Sequence, residues 1–209
     1  MINMTQNFNI EILIANLKDA SGIDKALKQN LIEIRDFDEI TKKQKKELED
    51  QGFLRKEAGI EYYQSLINDP NTSIYIAKDN NGNIVGFASL YKKRFNIIKV
   101  RDVLGNLTFE DDRIKELLLN EDTEFAYLDQ ISILPQYKRK GVGSAIFKKA
   151  LMEVDTPIVA FIVEKPLFNK ASVYWHEYNG FDFSGISEGE YRGKAFKFQI
   201  FIHWNKKEQ

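Results

Sequence analysis

The chain carries 209 residues, 43% apolar and 29% charged, which is ordinary globular usage and enough for one domain with a real core. Thirty basic against 31 acidic side chains leave a formal charge of -1, so no global field recommends nucleic acid or a membrane as partner, and any basic site must be local. The sequence contains no cysteine, which excludes disulfides, thiolate metal sites and a cysteine nucleophile and fits a reducing cytoplasm.

In chain order, Met1 to Glu11 show neither a basic start nor an unbroken apolar stretch, so no secretion signal is predicted. No later segment reaches the roughly 18 apolar residues of a membrane span, and a soluble, cytoplasmic protein is the expectation. A first strand is predicted over 8–15 and a helix from Asp19 to Gln29. Thr41 to Gln51 reads as a polar helix. Its lysines, Lys42, Lys43, Lys45 and Lys46, could form a phosphate-binding face, but the interleaved Glu47, Glu49 and Asp50 make a solvated surface the better reading. A third helix, Glu57 to Ile67, ends ahead of Pro70, because the residue before proline is pushed out of the helical region.

Segments 73–78 and 83–91 read as a hairpin, since Asp79 to Gly82 supply residues that tolerate positive φ. Residues 92–123 are longer than a simple connection and read as an insertion, with an apolar patch at 97–100 and an acidic helix from Glu110 to Leu119. A strand over 125–133 stops at Pro135, a glycine turn follows, and a helix from Val142 to Val154 gathers its apolar residues on one face. The apolar run 158–163 is a buried-type strand, a helix from Asn169 to Tyr178 ends at the Asn179-Gly180 cap, and 181–184 and 195–203 close the chain as strands. Only His176 and His203 are available as histidines, and without an HExxH or a Cys/His cluster no catalytic metal is expected.

The turn Lys138-Arg139-Lys140-Gly141-Val142-Gly143-Ser144 leaves a strand and opens a helix. Its first backbone N–H groups have no intrahelical partner, the helix dipole adds positive charge, and such a turn binds phosphate oxygens. Gly141 and Gly143 allow positive φ and remove Cβ atoms from the phosphate approach, while the three basic residues add local charge. Among phosphate turns, GxxxxGK[ST] is absent, and a dinucleotide GxGxxG is opposed by Ile146 where glycine or alanine is needed, although Glu164 sits at a suitable strand end. The coenzyme A pyrophosphate turn, Gln/Arg-x-x-Gly-x-Gly/Ala, fits apart from Lys138 at its first position.

On these residues the sequence resembles the GNAT acetyltransferase superfamily. The stretch Tyr127 to Ser144 is similar to its strand-turn-helix coenzyme motif, and Asn169 to Phe181 to its Asn-x-x-Ala/Ser helix ending in Gly-Phe. The resemblance implies a single mixed α/β domain over 1–209, a central mostly antiparallel sheet flanked by helices, with 92–123 as an insertion. It implies an N-acetyltransferase that moves acetyl from acetyl-CoA, without a metal, to a primary amine on a small molecule or peptide by direct attack on the thioester. Dimers are common in the superfamily, so a homodimer is a further expectation.

The implied coenzyme residues are Ile131, Ser132 and Ile133, whose backbone would pair with the pantetheine arm and face the thioester oxygen, the turn Lys138, Arg139, Lys140, Gly141, Val142, Gly143 and Ser144, and Asn169 and Ser172. Tyr127 and Asp129 occupy positions that often hold proton-extracting residues. Asp129, the only carboxylate on its strand, is favoured as base, with binding of a backbone group or a substrate ammonium as its alternative. His176 falls where many members carry a thiolate-protonating tyrosine, with Tyr174 and Tyr178 nearby and a packing role as the alternative, while Trp175 and Phe181 read as core. Two rival readings are a non-catalytic acyl-CoA-binding or sensory module and an RNA-binding module on Lys138 to Lys140; the latter lacks a charge excess or aromatic-interleaved basic surface.

Overall fold

A computed structural model describes residues 9–30, 40–54, 58–92, 106–120, 122–191 and 194–205. The strands are β1 (Glu11–Ile14), β2 (Thr72–Lys78), β3 (Ile84–Tyr91), β4 (Asn106–Phe109), β5 (Ala126–Ile133), β6 (Ile158–Lys165), β7 (Asp182–Tyr191) and β8 (Lys194–His203). The α-helices among the described residues are α1 (Ala20–Lys28), α2 (Lys42–Gln51), α3 (Ile60–Asn68), α4 (Asp112–Leu119), α5 (Val142–Leu151) and α6 (Lys170–Tyr178). One eight-stranded sheet runs β1-β2-β3-β5-β6-β8-β7-β4, antiparallel throughout except for the central β5/β6 pair. The expected mixed α/β sandwich is therefore the observed architecture.

The β2/β3 hairpin closes where sequence chemistry demands it. Gly82 takes φ 77°, and the Asp79 carboxylate accepts from the backbone N–H groups of Asn81 and Asn83, each at 2.9 Å. β2 and β3 are then buried almost end to end, as strands covered on both faces must be. α1 packs on β3 and α3 on β2, and α5 packs on the same two strands. α5 contributes Val142, Ile146, Phe147 and Ala150 to the main core, at the helical spacing its sequence shows. α2 buries no residue, so its lysines lie on a solvated face, as read from the interleaved acids.

The segment 106–120, within the stretch read from sequence as an insertion, has a structural role that its sequence does not advertise. β4 pairs with β7 and extends the sheet by an edge strand, and α4 lays Ile114, Leu117 and Leu118 against Phe125, Val159, Ile200 and Ile202 as a second core. β7, expected to end at Ser184, continues to Tyr191 because β4 on one side and β8 on the other complete its ladder. The expected apolar patch at 97–100, Phe8 of the expected first strand and Glu57 of the expected third helix lie outside the described residues.

Candidate active site

The site starts from a break in the sheet. β5 and β6 pair only at Ala126 with Ile158 and Tyr127 with Val159. Beyond these residues β5 follows β3 and β6 follows β8, so the two strands part and a cleft of about 1210 Å³ opens between them. Facing strand edges with no ladder between them can pair with an extended amide-bearing chain.

The glycine turn closes one end of this cleft. Gly141 takes φ 77° immediately before α5, and nothing lies within 4 Å of where its Cβ would be. Arg139 also has positive φ, at 60°, so the turn winds tightly enough to present successive N–H groups. Lys138, Arg139, Gly141, Val142, Gly143 and Ser144 line the cleft. Lys140 is exposed, lies 5.8 Å from the Tyr137 ring centroid and is not among the lining residues. At Gly143 a Cβ would stand 2.9 Å from Trp175 Nε1, so the missing side chain also makes room for the Trp175 indole. Trp175 packs edge-on to Phe147, in keeping with its reading as core, and also lines the cleft.

Residues 50–54 form a strap that joins the two sides. The Lys138 ammonium donates to the Gln51 carbonyl at 2.8 Å and Arg139 to the Asp50 carbonyl at 3.4 Å, which caps the C-terminus of α2. Burial lowers the Lys138 pKa from its ordinary value. On the other side, Asn169 Nδ2 donates to the Phe53 carbonyl at 2.8 Å, while its Oδ1 accepts from Ser172 N and caps α6. Both ends of the Asn169 amide thus have protein partners. Glu164, noted as a strand-end carboxylate, pairs with Lys197 at 2.7 Å and accepts from Gln199 at 2.8 Å on β8.

Tyr127, Asp129, Ile131 and Ile133 are the half-buried residues of β5, alternating with Leu128, Gln130 and Ser132, which are buried. Ser132 Oγ accepts from Asn30 Nδ2 at 2.8 Å, so its side chain ties β5 to the end of α1 while its backbone lines the cleft. The register slips once: Ser89 faces Gln130 but Leu90 faces Leu128, leaving Asp129 as the extra residue of a β-bulge. Asp129 lines the cleft, and its Oδ2 accepts from the Tyr62 hydroxyl at 3.1 Å. Tyr62 in turn lies 3.1 Å from the Tyr91 hydroxyl. Tyr127 stacks on Tyr91 and tilts against Phe161; burial first, then the charge of Asp129, raises its pKa. Neither Tyr62 nor Tyr91 stands in a recognisable motif: the packing of α3 against the sheet brings Tyr62 to Asp129, and the β3/β5 ladder brings Tyr91.

His176 is buried, 3% exposed, among Trp175, Phe181 and Phe201. Its Nδ1 lies 2.7 Å from the Ser172 carbonyl, which can only accept, so the neutral ring carries its proton there. Nε2 is then an acceptor, buried and without a hydrogen-bond partner. Burial pushes the ring down to about 4, partly opposed by the Ser172 bond. Tyr174, 58% exposed, and Tyr178 line the same cleft from the same helix.

The Acetyltransferase (GNAT) family profile matches residues 34–181. Similar folds include the ribosomal-protein-S18-alanine N-acetyltransferase from Escherichia coli, at 12% identity and TM-score 0.59, with 96% of each chain covered. An N-acetyltransferase from Staphylococcus aureus Mu50 aligns at 15% identity and TM-score 0.58 over 95% of this chain and 99% of its own. Arabidopsis thaliana NAA60 in complex with acetyl-CoA aligns at 13% identity and TM-score 0.57, over 94% of this chain and 98% of its own. Comparison with curated protein sequences gives no significant match. The chain belongs to the GNAT acetyltransferase family, and is by that membership an acyltransferase. No helix of the described residues is long and apolar enough to cross a membrane.

Proposed function

We propose that the protein transfers acetyl from acetyl-CoA to a primary amine by direct attack, with the coenzyme along the β5/β6 cleft and its pyrophosphate on the turn 138–144. The observation that carries this reading is the cleft itself, with unpaired strand edges along its length, a left-handed glycine and a helix N-terminus at one end, and a carboxylate on a bulge at the other. Its residues fit the group: the space beside Gly141 lets phosphate approach the backbone, and Trp175 Nε1 is a buried donor without a partner in the cleft wall. Acetyl-CoA supplies the activated acyl group. Arabidopsis NAA60, which shares the fold, is seen in complex with acetyl-CoA.

The chain's own residues then do four things. Lys138, Arg139 and the first N–H groups of α5 hold negative charge; the backbone from Ile131 to Ile133 aligns an amide-bearing arm and offers a fixed N–H dipole to a developing oxyanion. Asp129 receives the amine proton, with Tyr127 beside it on the strand. For a lysine-like amine, reaching the neutral form at pH 7 costs about 4 to 5 kcal/mol, so a positioned base matters. The proton for the departing thiolate comes from the 174–178 turn of α6. His176 can donate it only after Nε2 is protonated, whereas Tyr174 offers a phenolic O–H donor.

The test is thiol release and mass gain across a panel of primary amines. Asp129→Asn is expected to lower turnover by about ten-fold to ten-thousand-fold with coenzyme affinity held. Tight acetyl-CoA binding without turnover on any amine would instead support a non-catalytic acyl-CoA module.

A further inference from the structure

Acetylation of an ammonium releases one proton more than the thiolate takes up. R–NH₃⁺ and acetyl-S-CoA give R–NH–acetyl, HS-CoA and H⁺, with the N–C bond formed, the C–S bond broken, one N–H proton replacing the one that the α6 donor gives to sulfur and another left over. That proton must leave a cleft filled by both substrates. We propose that it leaves through the hydroxyls of Tyr62 and Tyr91, positioning residues that act through Asp129 as a proton exit on its far side. The inference rests on the acetyl-transfer reading above.

Three observations carry it. Tyr62 has one hydroxyl proton, and a carboxylate accepts only, so the 3.1 Å bond to Asp129 Oδ2 fixes that proton's direction. The 3.1 Å contact between Tyr62 and Tyr91 is then donated by Tyr91 to the Tyr62 oxygen. Both O–H bonds point toward the carboxylate, the arrangement that an ionised Asp129 stabilises and that reverses as a unit once Asp129 gains a proton. Neither tyrosine is among the residues lining the coenzyme cleft, while Asp129 is, so the carboxylate stands between cleft and chain. Tyr91, half-buried at the end of β3, lies within the field of Asp69 at the end of α3.

In the step itself, Asp129 binds the amine proton and donates it to the Tyr62 oxygen. Tyr62 passes its own proton to Tyr91, and Tyr91 releases one outward; every residue ends with the protons it began with after the hydroxyls turn back. Burial, followed for Tyr62 by the Asp129 charge, raises both phenols above their ordinary pKa, so neither stands alone as a phenolate and the shift is concerted. Groups bearing on Asp129 include Tyr62 and Tyr63 from α3, Tyr91 from β3 and Tyr127 from β5.

The experiment uses Tyr62→Phe, Tyr91→Phe and the double variant, with melts to verify folding. Each single variant is expected to slow turnover about ten-fold or more in dilute buffer. Concentrated imidazole should restore much of the loss, and the double variant should be no slower than Tyr62→Phe, since a chain is cut once. Full activity in Tyr62→Phe, a loss that buffer does not rescue, or multiplying losses in the double variant would each overturn the exit. A wild-type protein that releases no thiol with any amine would defeat the acetyl-transfer reading instead.

Discussion

At the scale of single residues, His176 shows how a family position and a local environment can pull apart. The position suggests a proton donor, but the environment buries the ring, takes its Nδ1 proton to Ser172 and leaves Nε2 as a lone pair. This has a thermodynamic signature. With a folded pKa of about 4 against an unfolded value of 6.5, the unfolded chain binds more protons between those limits, so stability is full above pH 6.5 and falls as pH drops toward 4. The loss is on the order of 3 kcal/mol over that window. Chemical denaturation from pH 7 to 4, comparing wild type with His176→Phe, checks it: the variant should lack this part of the acid slope, and parallel curves would show that the ring is not held neutral. Gly143 teaches a similar lesson, since its missing Cβ makes room for the Trp175 ring and its substitution disturbs the contact between α5 and α6 before any ligand arrives.

Among elements, the segment 50–54 has no signature in sequence and yet spans the cleft. Lys138 and Arg139 hold the carbonyls that end α2, and Asn169 holds Phe53, whose ring is buried beside Val163 and Leu167. Asn169→Ala removes both the donor to Phe53 and the cap of α6. It should cost about 1 to 3 kcal/mol, since a buried carbonyl loses its partner and a helix its cap. Asn169→Asp keeps a capping oxygen but no donor, so it should recover only the cap's share. Urea unfolding of the pair separates the two contributions, and equal stability of Asn169→Ala and wild type would show that the strap is held by packing alone.

For the whole molecule, a net charge of -1 hides a local basic turn, and the two govern different measurements. Coenzyme A affinity should fall as salt rises, because a phosphate-rich ligand meets Lys138, Arg139 and the helix terminus at close range. At one hundred times its dissociation constant the coenzyme should stabilise the fold by about 2.7 kcal/mol. For a domain of this size that is a rise in Tm of roughly 5 to 10 °C. Calorimetry at two salt concentrations with parallel melts checks both, and salt-independent binding would place the phosphates away from the turn.

What the amino-acid sequence determined by itself was what repeats locally or in short motifs. The alternation of β5, the one-sided face of α5, the Asp79–Gly82 turn and the Gly141 turn each follow from residues a few positions apart, because backbone conformation and periodic burial are decided over that range. The family followed from two such motifs in order. Only the tertiary structure decided the rest: that β4 completes the sheet edge, that Gly143 answers to Trp175, that Asn169 holds Phe53, and that Tyr62 and Tyr91 stand behind Asp129. Those partners are separated by tens of residues or more, and which side chains meet across such distances is set by how whole elements pack, not by any spacing along the chain.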